Sequence, residues 1–285
     1  SSGGIVLVET LNILEAYDLS KLDNIARKHL ISEAMRRAYH DRALYLGDND
    51  FVEVPVSQLL NKDYAAGLRS TLRMDKALPS QALSGENKAK TGGRNTTHFS
   101  VIDAEGNRVS ATLSINFPFG AGIIAKGTGV ILNNEMDDFV SKAGAMNGYG
   151  LVGGVANAIE PEKRMLSSMS PTFLEDENRV AVLGTPGGSR IISMVLLATL
   201  DFAEGHAPDS WVSVPRFHHQ YMPDEILYEP EGLTETEKQG LSALGHSLKQ
   251  KSYKYGNMQA VELNKNNGQL KAASDLRGEG FADVR

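Results

Sequence analysis

The chain has 285 residues, 41% of them hydrophobic and 22% charged, which allows a large buried core and excludes wholesale disorder. Its net charge of −6 argues against a protein built to grip nucleic-acid backbones or an anionic membrane surface. The absence of cysteine removes disulfides, thiolate catalysis and Cys-ligated metal sites.

Residues 5–45 read as helical. Ile5, Val8, Leu11, Ile13, Leu14 and Tyr17 form one apolar face. Asp18-Leu19-Ser20 breaks the pattern, and a second helix follows with Leu22, Ile25, Ala26, His29, Leu30, Ala34, Ala38 and Tyr39. The Arg, Lys, Glu and Asp residues of that helix read as a solvated face. Leu46 to Asp50 is a stop and turn, and residues 56–72 offer one or two short helices. Residues 75–95, with Pro79, Ser80, Gly85, Lys88, Gly92, Gly93 and Asn95, are polar and aperiodic, the best linker in the chain. Strand periodicity then takes over. Residues 96–102 and 107–116 flank Asp103-Ala104-Glu105-Gly106 as a hairpin. Glycine-rich loops fill 120–129 and 144–154. A second hairpin spans 172–174 and 180–184, and a helix of about 14 residues follows Gly187-Gly188. A helix near 233–244 and strands near 247–252, 258–263 and 269–273 end the chain. Helices first and then mainly strands predict an α+β layered fold.

No run of about 18 apolar residues predicts a membrane span. No signal peptide is visible, but the chain opens Ser1-Ser2-Gly3-Gly4 without methionine. It is therefore expected to be a processed product or a piece of a longer chain, and the missing leader is silent on location.

The usual serine-hydrolase, zinc-protease and P-loop signatures are absent. His218-His219 suggests a metal pair, but neighbours on a strand face opposite ways, so a structural role is favoured and no metal is expected. Asn95-Thr96-Thr97-His98-Phe99-Ser100 stands where the polar linker becomes a strand. Threonine there is an ordinary strand former. Alternatively, cutting the 95–96 bond makes Thr96 N-terminal, with an α-amine of pKa about 7.7–8.0 as base for its own hydroxyl. Thr185-Pro186-Gly187-Gly188-Ser189-Arg190 precedes the apolar helix. It reads either as a tight turn or as a nest of N–H groups for an oxyanion. Leu166-Ser167-Ser168-Met169-Ser170-Pro171-Thr172 is a polar turn or a carboxylate cradle. Asn133-Asn134-Glu135-Met136-Asp137-Asp138 is a solvated acidic loop or a seat for an ammonium group.

Together these strings resemble the γ-glutamyltransferase (γ-glutamyl transpeptidase) family of N-terminal-nucleophile (Ntn) hydrolases. The similarity extends to Ser1-Ser2-Gly3-Gly4-Ile5, Pro215-Arg216-Phe217-His218-His219-Gln220 and Ala273-Ser274-Asp275-Leu276-Arg277, and so runs from end to end. The resemblance implies an Ntn-hydrolase αββα sandwich, with helix layers around two stacked, mainly antiparallel sheets. The N-terminal part of that sandwich is missing here, because family precursors are about twice as long. The absent part normally carries a signal peptide and a carboxylate-gripping arginine, which places such proteins in the periplasm or outside the cell. The resemblance implies self-cleavage between Asn95 and Thr96. Residues 1–95 would then be the C-terminal part of a large subunit and 96–285 the small subunit of one precursor. Thr96 would be the nucleophile, Thr112 would orient it, and Gly187 and Gly188 would form the oxyanion hole. Asn116, Glu135 and Asp138 would hold the substrate α-ammonium, with Ser114 a further polar position on the same strand. Ser167 and Ser168 would hold the α-carboxylate, and Tyr149 would sit on a lid. The implied reaction is cofactor-free ping-pong transfer of a γ-glutamyl group from glutathione-like donors to water or to an amino acid or peptide amine. Other specificities on the same scaffold are a cephalosporin acylase or a poly-γ-glutamate depolymerase. A non-catalytic, uncut fragment is the reading from another class.

Overall fold

The structure, a computed structural model, describes residues 2–83 and 96–285. Its helices are α1 (Gly3–Leu14), α2 (Asn24–Tyr45), α3 (Val56–Leu59), α4 (Lys62–Ser70), α5 (Ile191–Ala203), α6 (Pro208–Ser213) and α7 (Glu235–Ala243). Its strands are β1 (Thr96–Ile102), β2 (Arg108–Ser114), β3 (Thr172–Glu175), β4 (Arg179–Gly184), β5 (Phe217–His218), β6 (Ile226–Tyr228), β7 (Leu248–Gln250), β8 (Gln259–Asn264) and β9 (Leu270–Ser274). They form two compact units. Ser1–Gly92, Met136–Ser167 and Phe217–Tyr253 make the first, and Gly93–Glu135, Ser168–Arg216 and Lys254–Arg285 the second. The expected division of the chain at 95–96 concerns a covalent cut. Asn95 itself and the rest of residues 84–95 lie outside the described residues.

The first unit is mostly helical, with a small sheet in which β6 pairs β5 antiparallel and β7 parallel. The break expected at 18–20 is a 3₁₀ turn over Leu19–Lys21, capped by Asp18. Helix α2 starts where Asp23 accepts hydrogen bonds from the N–H groups of Ile25 (2.9 Å) and Ala26 (2.8 Å), satisfying donors that the first turn leaves unpaired.

The charged side of α2 is not the solvated face its composition suggests. Glu33, Arg36, Arg37, Asp41 and Arg42 are all buried. Glu33, Arg36 and Arg37 are tolerated because their charges are matched, while Asp41 accepts from the Tyr64 hydroxyl at 2.7 Å and Arg42 donates to the Ser2 hydroxyl at 3.0 Å. Glu33 accepts from Arg36 at 3.0 Å and from Arg37 at 2.8 Å. Arg36 also pairs with Asp224 and donates to the Ser80 hydroxyl at 2.6 Å. The Ser80 N–H in turn donates to Asp224 at 2.8 Å. Ser80, inside the stretch read as linker, is thus fully buried and pinned.

The second unit is layered. Hairpin β1–β2 stacks on the antiparallel sheet β3-β4-β8-β9. Val180, Ala181, Val182 and Leu183 of β4 are all 0% exposed. Successive strand residues face opposite ways, so both faces of β4 are covered. The hairpin lies against the sheet through Ser110, whose hydroxyl donates to the Leu183 carbonyl (3.1 Å), and α5 and α6 also pack on the sheet. Helix α5 buries almost its whole circumference, including Ile192, Val195, Leu196 and Phe202. Each such side chain contributes about 1.5–3 kcal/mol. The α+β class and stacked antiparallel sheets follow the expectation. The short α6, β5 and β6 were not foreseen, being too brief to show a period.

Candidate active site

The second unit gathers most of the sequence-predicted residues around the start of β1. The hairpin register pairs Thr96 with Ser114, His98 with Thr112 and Ser100 with Ser110. Side chains two apart share a face, so this face carries five hydroxyls and one imidazole. Thr96 Oγ1 lies 3.1 Å from Ser114 Oγ. The hydroxyl partner expected from Thr112 is therefore supplied by Ser114. Thr112 sits one pair further along, where its Oγ1 is 2.8 Å from His98 Nδ1. His98 Nε2 lies 2.9 Å from Ser100 Oγ. The ring packs against Gly184, where any Cβ would collide with it. Burial lowers the His98 pKa from 6.5 to about 4, so the imidazole is neutral at physiological pH and serves the hydroxyls on both sides.

Ser114 Oγ also accepts from the N–H of Asn116 at 2.8 Å. Asn116 is buried with φ 69°, and its side-chain amide donates to the Asn134 carbonyl at 3.0 Å. The Asn134 side chain takes the Phe117 N–H at 2.9 Å. The end of β2 is thereby tied to the Asn133–Glu135 loop, and the Glu135 N–H is held by Asn133 Oδ1 at 3.0 Å. Glu135 Oε1 is buried without a hydrogen-bond partner. A buried carboxylate oxygen left open in this way is an acceptor waiting for a donor.

A cavity of about 190 Å³ adjoins the nucleophile candidate, lined by Thr96, Pro186, Gly187, Arg190, Tyr255 and Asn257 among others. Gly187 (φ 155°) and Gly188 (φ 60°) make the turn into α5, conformations that side chains rarely adopt. Thr185 Oγ1 braces this turn by accepting the Asn257 N–H at 3.2 Å. Ser168, also in this unit, is buried, and its carbonyl accepts from Ser170 Oγ at 3.0 Å.

Three predicted residues belong to the first unit. Asp138 ends the 3₁₀ turn Glu135–Asp138, and its carbonyl accepts from Asn157 Nδ2 at 2.8 Å. The Ser167 carbonyl accepts from the Ser2 N–H at 2.9 Å and hydroxyl at 2.7 Å. Tyr149 is buried in the 144–154 loop, where its carbonyl accepts from Gln220 Nε2 at 3.3 Å. His218 and His219 are buried and bonded to Gln220 Oε1 (2.8 Å) and the Tyr221 N–H (3.1 Å). Among the described residues, only Asp201, Glu204 and His206 bring three potential metal-ligand atoms together, within 4.8 Å. They lie at the C-terminal end of α5, remote from the Gly187 turn. Sequence reading missed Tyr255 and Asn257, which reach the cavity from a loop far along the chain with no local signal. It quoted Arg190 without giving it a task.

Comparison with known proteins fits this geometry. The sequence profile described as gamma-glutamyltranspeptidase matches residues 1–284, and the chain belongs to that family. It is 47% identical to a glutathione hydrolase proenzyme of Pseudomonas sp. (strain A14) over 87% of this chain and 44% of that protein. It is 36% identical to the acylase ACY 1 proenzyme of Pseudomonas sp. (strain SE83), over 98% of this chain and 48% of that one. The gamma-glutamyltranspeptidase of Pseudomonas nitroreducens, solved in complex with L-DON, superposes with a TM-score of 0.62 at 44% identity, covering 66% of this chain and 99% of the solved one. The chain spans about half the length of the curated relatives it matches.

Proposed function

We propose that this chain is the catalytic part of a γ-glutamyl acyltransferase and hydrolase that acts on glutathione-like donors. The observation that carries the reading is Thr96. It opens β1, its hydroxyl is 3.1 Å from Ser114 Oγ, and it shares a cavity with the Gly187 turn. Cleavage between Asn95 and Thr96 frees the amine that acts as base. Two further facts support a cut at this point. Relatives are named proenzymes, and a whole solved chain of the family corresponds to two thirds of this one, the share that residues 96–285 make up. Residues 1–95 are then large-subunit sequence and 96–285 the small subunit.

In the mechanism, the α-amine takes the hydroxyl proton and Thr96 Oγ1 attacks the γ-carbonyl carbon. The N–H groups of Gly187 and Gly188 receive the oxyanion. The ammonium then protonates the departing amine, leaving a γ-glutamyl ester on Thr96. Water or an acceptor amine repeats the sequence and releases the acyl group. Ser114 orients the hydroxyl, and Thr112 acts through His98. Asn116, Glu135 and Asp138 take the α-ammonium, Ser167 and Ser168 the α-carboxylate, and Tyr149 belongs to a lid that limits water. No cofactor enters. Export to the periplasm or beyond follows the family. No helix among the described residues is long and apolar enough to cross a membrane.

The test is intact mass with kinetics. Wild-type chain is expected to give two species in place of one of 30.8 kDa, the larger beginning at Thr96. Thr96→Ala is expected to stay uncut and to lose at least about 10³ in turnover of a γ-glutamyl anilide. Thr96→Ser should keep part of both activities, since a hydroxyl remains. Normal turnover by Thr96→Ala rules the mechanism out. The match to an acylase supports a second specificity, a glutaryl-type donor, and a glutaryl amide compared with the γ-glutamyl anilide separates the two.

A further inference from the structure

Arg190 is out of place as a structural residue. Its side chain lines the cavity beside Thr96 and Gly187, yet the residue is only 8% exposed. Its Nε is buried without a hydrogen-bond partner, and among the described residues no carboxylate pairs with it. Its one close partner is the face of Tyr255, with the guanidinium carbon 5.0 Å from the ring centroid. A guanidinium is charged at any physiological pH, and a buried charge without a counter-ion costs several kcal/mol. A single cation–π contact returns only about 0.5–2 kcal/mol. Position makes matters worse, because Arg190 is the N-cap of the 13-residue α5, the positive end of a helix dipole. Two positive ends meet with no anion between them.

The other arginine of the cavity, Arg277, is already spent. It pairs with Asp275 and donates to the carbonyls of Val212 (2.9 Å), Ser213 (3.2 Å) and Val214 (3.1 Å). Lys254 is exposed. Arg190 is thus the cation on the cavity wall that is both enclosed and without an acid. Its Nε is left as an open donor for an anion.

Resting on the proposed γ-glutamyl transfer, we propose that Arg190 forms a second anion subsite, which takes the carboxylate of the amino acid or peptide that leaves from, or attacks, the acyl group on Thr96. In ping-pong transfer, attack by an amine is the reverse of departure of an amine, so both occupy the same place. A carboxylate on either falls in the same neighbourhood. The α-carboxylate of the γ-glutamyl group is a different anion, assigned above to Ser167 and Ser168. Arg190 thereby sets a preference for acceptors that carry a free carboxylate.

The test compares glycylglycine with its C-terminal amide, which is of nearly the same shape but lacks the carboxylate's charge. In transfer from a γ-glutamyl anilide, wild type is expected to favour the acid through KM by about tenfold or more. Arg190→Gln should erase that ratio, and Arg190→Lys should keep part of it. Because each ratio is internal to one variant, a general loss of activity does not affect it. A readout without turnover uses Thr96→Ala chain titrated calorimetrically with the same two dipeptides. Binding of the acid but not the amide, lost on adding Arg190→Gln, is expected. Equal handling of acid and amide by wild type, or an unchanged ratio in Arg190→Gln, overturns the subsite. An Arg190→Gln variant whose anilide hydrolysis collapses at an unchanged acid-to-amide ratio also overturns it, in favour of a role at the oxyanion. Failure of the transfer reading looks different. The 95–96 bond then stays intact and no γ-glutamyl donor turns over, while the calorimetric preference persists.

Discussion

Helix α2 and the Thr96 cavity both bury charge, and they treat it in opposite ways. Along α2 the buried charges around Glu33 are paired, although one nitrogen of Arg37, Nη2, has no hydrogen-bond partner. Glu33 is shared by two arginines, and Arg36 is shared by Glu33 and Asp224. In the second unit, Glu135 Oε1 and Arg190 Nε are buried with no partner. Matched charges hold the fold, since removing one strands the other. Unmatched charges contribute nothing to the fold, and under the proposed function a ligand carries the missing half. The comparison separates architecture from recognition without reference to position in the chain.

The largest expected effect breaks the matched side. Glu33→Gln leaves Arg37 and one edge of Arg36 buried with weaker partners, and should cost about 3–5 kcal/mol of unfolding free energy. Urea titration followed by circular dichroism measures it. A cost below about 0.5 kcal/mol, the usual range for surface changes, would mean that the α2 charges are solvated after all.

His98 is a third kind of buried polar group, held neutral between two hydroxyls. Its folded pKa of about 4 lies below the ordinary 6.5. Between these values the unfolded chain binds a proton that the folded chain refuses, so stability falls as pH falls. The contribution is complete above pH 6.5 and is lost as pH drops through 4, about 3 kcal/mol in all. In His98→Gln this component disappears. The loss of stability between pH 7 and pH 4, measured by urea unfolding, should be smaller than in wild type by about that amount. Equal losses would show that the imidazole titrates normally in the folded protein.

The sequence disclosed some of this and concealed the rest for physical reasons. Long periodic elements such as α2, α5 and the β1–β2 hairpin were legible because their side-chain period repeats several times. The Thr96 and Gly187 strings were legible because their chemistry is local. Charge pairing was not. The Glu and Arg residues of α2 look alike in sequence whether they face water or one another, and Asp224, the partner of Arg36, is 188 residues away. The sequence reading gave the place beside Thr96 to Thr112, whereas the hairpin register, which the turn at 103–106 sets and composition does not, puts Ser114 there. Arg190 stood in a quoted motif, but its isolation is a property of three-dimensional neighbours.

The smallest effect sharpens the unmatched side. Glu135→Gln keeps the shape of the side chain and removes its charge. No protein partner loses an ion pair, so unfolding free energy should move by less than about 0.5 kcal/mol. Under the proposed function the KM for a γ-glutamyl anilide should rise about tenfold, the donor's ammonium losing one of its acids. A glutaryl anilide, which lacks that ammonium, supplies the internal control. Its KM should be the same in wild type and Glu135→Gln. If Glu135→Gln shifts both donors equally, the carboxylate acts on the shape of the Asn133–Glu135 loop and not on charge. If it shifts neither while unfolding free energy drops by several kcal/mol, Glu135 belongs with Glu33 among the matched charges, and the division between architecture and recognition fails at this residue.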